Sequence, residues 1–272
     1  MGNGKKKGIK IKKILRFLYA SAMAGAYIFL SVGQKAPILA KAEAHAKEKL
    51  CSYTTYFNQN EGGRCENIRL AAGRLDGIAL QPYGSLSFNA VVGPRTRENG
   101  YQTAKVIVQG EFVEGVGGGV CQVSTTLYNA ALLSGLTVTE YHPHSMRVGY
   151  VPPSRDAMVT EFCDLRLFNP YQETVYISVS VGAGYLRFTL YGTPNGRTYS
   201  IESRTLAELP PEEPIIEEGD TDEVVRFGQA GLKSESYIKT YENGVLISVK
   251  RLRTDEYAPQ RGKIRKKTEK AQ

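Results

Sequence analysis

The sequence predicts an α+β chain, with short helices packed on an antiparallel sheet, one N-terminal membrane helix before them and a small β-hairpin module after them. Three observations carry that prediction. Residues 64–76 and 122–134 repeat apolar side chains with the helical period. From residue 159 onward the period falls to two, the mark of half-buried strands. Phe17 to Gln34 is an uncharged, largely apolar stretch that follows seven Lys and Arg residues within 1–16.

The N-terminal stretch reads as an address. The basic flank precedes the apolar run, which places residues 1–16 in the cytoplasm and the bulk of the chain outside. The run is longer than most signal-peptide cores and barely long enough to span a bilayer. Residues 1–42 are therefore a signal-anchor holding the chain to the membrane, or a signal peptide cleaved after Ala42 in Ala40-Lys41-Ala42. Either way the chain is extracytoplasmic, and its thiols face oxidising conditions. Cys51 and Cys65 could pair there if their Cα atoms come close enough.

The remaining elements follow in order. The Ala-, Lys- and Glu-rich residues 36–52 suggest a helical stalk. Ile68, Ala71, Ala72 and Leu75 form one helical face, with Gly77 as its stop. Residues 81–89 read as a turn entering an extended segment, and Ala104–Val108 as a strand. Gly115–Gly119 is loop. Val123, Leu127, Ala130 and Ala131 give the second helix its apolar face, closed by Gly135. Leu136–His142 is extended, and Val159–Phe168, Glu173–Val181 and Tyr185–Tyr191 are strands, with Cys163 in the core. This domain covers 43–200. An acidic, Pro-bearing linker (201–221) leads to a small β module (222–259), whose Glu242-Asn243-Gly244 signals a hairpin. Residues 260–272 are a basic, solvated tail.

Composition narrows the function. A 272-residue chain with 42% hydrophobic and 23% charged residues is globular rather than disordered, and four cysteines are too few for a disulfide scaffold. The net charge of +8 is concentrated in the two ends, leaving the middle net acidic. A nucleic-acid partner calls for a basic patch on the fold itself, so it is excluded as the main partner.

The chemistry-bearing stretch is Gly117-Gly118-Gly119-Val120-Cys121-Gln122. Three consecutive glycines permit positive φ and close approach of another chain. They also deliver Cys121 to the first turn of a helix, where free N–H groups and the dipole favour a thiolate. Such a nucleophile needs a base. His142 and His144 both follow the helix, and His144 is preferred because a polar stretch follows it. Asp156 is the candidate to orient the imidazole, and Arg147 and Arg155 could hold a carboxylate. Backbone N–H groups of Cys121 and Gln122 would receive an oxyanion. Ser124 caps the helix or lines the site. Cys121, His142, His144 and Cys163 could instead hold zinc, but their spacing matches no common zinc pattern. No metal or cofactor is implied.

The residues that surround this block carry a resemblance. Ser87-Phe88-Asn89, Val92-Gly93-Pro94-Arg95-Thr96, Gly117 to Ala130, His142-Pro143-His144-Ser145, Arg155-Asp156-Ala157 and Asp164-Leu165 resemble the VanW family over about residues 53–191. Three positions depart from the family pattern: Tyr141 stands where Arg is usual, Ser154 where Gly is usual and Met158 where Thr is usual. The C-terminal module weakly resembles a truncated G5 domain. The resemblance implies an envelope protein acting on peptidoglycan stem peptides. It implies an L,D-transpeptidase with Cys121 as nucleophile and a histidine of His142-Pro143-His144 as base, and Gly117–Gly119, Gln122 and Ser124 beside the substrate. With water as acceptor the same site is a carboxypeptidase. The alternative is a non-catalytic wall-binding protein associated with glycopeptide resistance.

Overall fold

The computed structural model describes residues 47–108 and 111–268. The N-terminal membrane helix and most of the helical stalk lie outside these residues. Among the described residues, no helix is long and apolar enough to cross a membrane.

The chain is predominantly β. In order it runs β1 (Glu48–Tyr56), α1 (Gly62–Gly73), β2 (Ile78–Leu80), β3 (Ser85–Ser87), α2 (Phe88–Val92), β4 (Thr103–Val108), β5 (Glu111–Val116) and α3 (Val120–Leu133). It continues through β6 (Thr137–Glu140), β7 (Arg166–Phe168), β8 (Val175–Gly182), β9 (Tyr185–Gly192), β10 (Arg197–Leu209) and β11 (Ile215–Gly219). The last elements are β12 (Glu223–Arg226), β13 (Gly231–Glu242), β14 (Val245–Tyr257) and β15 (Lys263–Lys267). Among the described residues the strands form five small sheets, ordered β1-β9-β8-β2, β10-β13-β14, β11-β15-β12, β3-β7-β6 and β4-β5. This overturns the expectation of short helices packed on one antiparallel sheet.

The errors have local causes. Residues 48–52 belong to β1, not to a helical stalk. The β-prone Tyr53-Thr54-Thr55-Tyr56 continues that strand, which pairs with β9 along its length. The supposed acidic linker holds the end of β10 and all of β11, and the supposed basic tail holds β15. These oppositely charged segments pair with each other: β15 lies parallel to β11 and antiparallel to β12. Lys263 Nζ is 2.7 Å from Glu217 Oε1, and Arg265 Nη1 is 2.8 Å from Glu223 Oε2. Val159 to Leu165 is irregular, so the strand expected there shrinks to β7 and Cys163 is half-buried rather than core. The hairpin forms where the Asn-Gly signal sits, with Asn243 at φ 51° and Gly244 at φ 81°.

Helix α3 is buried on every side except at Cys121 and Leu133, not merely along one apolar stripe. Its apolar residues join Ile68, Leu75, Leu186, Phe188 and Leu190 in one core. The side chains of Gln122, Ser124, Thr125, Thr126 and Asn129 are all bonded, as burial requires. Thr126 Oγ1 meets Thr55 Oγ1 of β1 at 2.8 Å. Ser124 Oγ donates to the Ala157 carbonyl (2.6 Å), Thr125 Oγ1 accepts from Ala157 N–H (2.9 Å), and Asn129 Nδ2 donates to the Arg155 carbonyl (2.7 Å). Three side chains of one helix thus fix the backbone on either side of Asp156.

Candidate active site

The glycine run ends β5 and starts α3. Gly117 and Gly119 have φ of 89° and 105°, where a Cβ is strained. Gly118 faces β4: a Cβ built on it would lie 2.5 Å from the Lys105 carbonyl oxygen. The glycines therefore fold the chain sharply against β4 and set Cys121, half-buried, in the first turn of α3. Cys121 opens onto a cleft of about 980 Å3 that is also lined by Gly117–Gly119, Arg95, His144 and Tyr150.

His144 reaches the same cleft from the irregular segment after β6. Its Nδ1 lies 2.7 Å from Asp156 Oδ2, and its backbone N–H donates to the same oxygen at 2.7 Å. The carboxylate can only accept, so Nδ1 carries the proton and Nε2 is left for the sulfur. The His144 imidazole stands near enough to the Cys121 sulfur for each to shift the other's protonation, while the thiol itself donates to the Val159 carbonyl at 3.5 Å. The structure thus brings Cys121, His144 and Asp156 into one chain of contacts.

Their protonation is interlocked. Burial opposes a charge on Cys121, yet the hydrogen bond from His144, the charge on His144 and the nearby Arg95 guanidinium outweigh it, and the thiol is held below its ordinary value. Burial likewise disfavours the imidazolium, but Asp156 and Cys121 together push His144 up to about 9. Asp156 resists its own desolvation because His144, Arg253 and Tyr257 favour the carboxylate, which is held well below the usual range. All three shifts favour the charged forms: thiolate, imidazolium and carboxylate.

The other expected residues divide. Arg147 is exposed and lines the cleft. Gln122 borders the cleft but is buried and fully engaged. Its Nε2 donates to Thr55 Oγ1 (3.0 Å) and the Tyr56 carbonyl (2.9 Å), and its Oε1 accepts from Arg64 at 2.7 Å. Its backbone N–H donates to the Gly119 carbonyl (3.0 Å), so it is not free for an oxyanion. His142 Nε2 is 3.0 Å from Glu140 Oε1, outside the cleft lining. Ser124 faces Ala157, and Arg155 is held by Asn129 Oδ1 (2.9 Å) and the Tyr53 ring, so neither lines the cleft. Cys51 and Cys65 are free thiols in separate environments. The Cys51 thiol donates to the Ala130 carbonyl, and Cys65 lies against the Asn58 and Gln59 carbonyls.

Sequence reasoning missed four contributors. Arg95 stands beside Cys121, with Nη2 donating to Asn89 Oδ1 at 2.6 Å. Tyr150 lines the cleft near Cys121, and burial keeps its phenol protonated. Arg253 and Tyr257 come from β14, about 100 residues beyond the rest, and both bond Asp156. Alternation in β14 carries the only signal for them: Arg253, Asp255 and Tyr257 share one face, and all three are buried.

A family model described as "VanW like protein" matches residues 63–191, which contain Cys121, His144 and Asp156. Residues 63–191 are thus similar to that family. Arg253 and Tyr257 lie beyond the matched residues. The chain is 44% identical over 147 residues to "Uncharacterized protein YoaR" of Bacillus subtilis, covering 54% of this chain and 48% of that protein. It is 28% identical over 138 residues to "Vancomycin B-type resistance protein VanW" of Enterococcus faecalis, covering 46% of this chain and 50% of that protein. The chain thus spans about half the length of these relatives. Two solved G5 domains match smaller parts. "IgA1 Protease G5 domain structure" is 23% identical with a TM-score of 0.19, covering 28% of this chain and 96% of that one. "Crystal structure of HP0197-G5" is 19% identical with a TM-score of 0.14, covering 25% and 96%. At those scores the likeness carries no argument about the C-terminal module.

Two of the three departures from the VanW pattern face that module. The Tyr141 ring lies 5.0 Å from the Arg253 guanidinium. Ser154 adopts φ 57°, a conformation that favours glycine, and its Oγ lies 2.7 Å from Ser234 Oγ of β13.

Proposed function

We propose that the protein is an extracytoplasmic, cell-wall-related acyltransferase that uses Cys121 as nucleophile on peptidoglycan stem peptides. The observation that carries this reading is the Cys121–His144–Asp156 series opening onto a large cleft. The cleft's charge supports a carboxylate-bearing substrate: Arg64, Arg95, Lys105 and Arg147 line it against Glu61 and Glu161. The kinship with a vancomycin B-type resistance protein supports the wall as the setting.

In the proposed reaction the thiolate attacks the carbonyl carbon of the L,D bond in a tetrapeptide stem and forms a C–S bond. The tetrahedral intermediate collapses with cleavage of the C–N bond, and the His144 imidazolium gives its proton to the departing D-Ala amine. A side-chain amine of a second stem then attacks the thioester. His144 takes the proton from that amine and Cys121 leaves as thiolate. Water in place of the amine gives hydrolysis.

Incubating the purified protein with a disaccharide-tetrapeptide and measuring intact mass tests the reading. An acyl adduct on Cys121 with release of D-Ala is the expected result. Full turnover by Cys121→Ala would refute it, and saturable binding without any adduct would leave a wall-binding protein instead.

A further inference from the structure

The VanW-like domain supplies a nucleophile, a base and an acid, but it does not supply everything that holds the acid. Asp156 Oδ2 is occupied by His144. Asp156 Oδ1 is occupied by two groups of β14: Arg253 Nη2 at 2.5 Å and the Tyr257 hydroxyl. Arg253 Nη1 also donates to the Asp156 backbone carbonyl at 2.6 Å. The side chains of Asp156 and Arg253 are 1% and 2% exposed, so water competes for neither. Arg253 is itself fixed, with its guanidinium over the Tyr128 and Tyr141 rings and Nε 2.7 Å from Asp255 Oδ2. The module is stitched to the same segment elsewhere. Ser154 N–H donates to the Tyr257 hydroxyl (2.7 Å), and Ala258 N–H donates to the Ser145 carbonyl (2.8 Å), one residue beyond His144.

From this geometry we infer that Arg253 and Tyr257 of the C-terminal module are positioning residues for the Cys121–His144 pair, acting through Asp156, so that the active site is built from both modules. The inference rests on reading Cys121 as the reacting sulfur. The physical argument is short. A buried carboxylate with two acceptor oxygens is oriented only when both are bonded. Arg253 and Tyr257 fix one oxygen, which turns the other to His144 Nδ1, and the oriented imidazolium in turn stabilises the thiolate. The charged and titratable groups facing this series are Arg95 and Tyr150 at the sulfur, and Arg253, Tyr257 and Asp255 at the carboxylate.

The test is the pH profile of Cys121 alkylation by iodoacetamide in the full chain, with adducts assigned by peptide mass. In wild type the sulfur's inflection lies below that of an ordinary thiol. In Arg253→Met the carboxylate loses its cation and one anchor, and the inflection rises by about one pH unit or more, a tenfold loss of reactivity below it. Arg253→Lys recovers part of the shift, and Tyr257→Phe gives a smaller shift in the same direction. A purely structural Arg253 would lower the unfolding midpoint while leaving the inflection of the folded protein in place, and that result overturns the inference. Should Arg253→Met not fold, unchanged inflections in both Arg253→Lys and Tyr257→Phe overturn it equally. Alkylation needs no stem peptide. A shifted inflection in a protein that turns over no stem would uphold the positioning role and remove the proposed reaction.

Discussion

Asp156→Asn puts the largest strain on the site for the smallest change in shape. Asp156 accepts from four donors: the ring and backbone nitrogens of His144 on Oδ2, and Arg253 and Tyr257 on Oδ1. Asparagine must place its NH2 on one side or the other. Facing His144 it opposes two donors, and facing Arg253 and Tyr257 it again opposes two. Either rotamer leaves buried donors without an acceptor, and Arg253 loses one of its two carboxylates. Breaking a buried pair in this way costs about 3–5 kcal/mol. The lower end applies, because Asp255 Oδ2 remains 2.7 Å from Arg253 Nε. For a chain of this length, about 3 kcal/mol lowers the unfolding midpoint by roughly 6–12 °C. The pH dependence has a defined sign. A carboxylate whose folded pKa is depressed stabilises the fold above about pH 4, and that stabilisation is lost as pH falls further. The variant should therefore differ most from wild type at neutral pH and converge with it in acid. Its His144 also loses the main partner that raises it, so Cys121 alkylation at pH 6 should drop with it. Urea denaturation at pH 7 and pH 3, with alkylation rates alongside, measures both effects. A variant within about 0.5 kcal/mol of wild type at both pH values, with unchanged alkylation, would refute the reasoning.

Three further outcomes follow from the same geometry. His144 is raised to about 9, so it holds its proton below that pH and loses it above. Turnover of stem peptide should decline with an alkaline limb near pH 9, and a rate that keeps climbing through pH 10 would mean that no imidazolium delivers the proton. Alkylation at pH 6 should modify one of the four cysteines, Cys121. Burial pushes Cys51 up to about 12, and peptide mapping that finds Cys51 modified in the folded protein would contradict its burial. Gly118→Ala sets a Cβ against the backbone of Lys105 and Ala104, which cannot swing aside, and should cost about 1–3 kcal/mol together with cleft reactivity. Gly149→Ala, with open space around it, is the control that should leave the denaturation midpoint in place.

Local pattern and long-range pairing were unequally legible in the sequence. The periodicity of α1 and α3, the alternation of β8 and β9 and the Asn243-Gly244 turn announce themselves over a few residues, because each follows from local geometry. The grouping of Cys121 with His144 and Asp156 was approachable, since a glycine hinge, a helix start and a histidine after the helix are short-range features. Other assignments failed where charge concealed a strand. Glu217 and Glu218 read as linker and Lys263 to Lys267 as tail, until each is seen as the other's partner. The sequence marks only one apolar face on α3 and gives no sign that Ser124, Thr125, Thr126 and Asn129 are buried. Only their bonds to residues 55, 155 and 157 explain their burial. Arg253 was invisible as part of the site because its partner is 97 residues away.

The charge pattern changes meaning once these pairings are known. Counted along the sequence, the basic residues near the C-terminus form a tail free to attract any anion. Folded, Lys263 and Arg265 are matched by Glu217 and Glu223 across β15, and at a few ångströms such pairs cancel one another's field beyond the Debye length. The cleft is the place where cations outnumber acids around a reactive group. Arg64, Arg95, Lys105 and Arg147 surround the entrance to Cys121 against Glu61 and Glu161, and low-dielectric walls focus such a field on an approaching carboxylate. The same field also favours the thiolate, because Arg95 acts on Cys121 directly. Under the proposed reaction, attraction of a carboxylate and activation of the sulfur therefore draw on one cationic wall. Arg95→Gln should then weaken the capture of an anionic peptide and raise the sulfur's inflection together, while Arg147→Gln, exposed and not among the groups that shift the sulfur, should affect capture alone. Separate measurement of stem-peptide affinity and of alkylation against pH distinguishes the two. Equal effects of both variants on both measurements would show that the wall acts only through net charge.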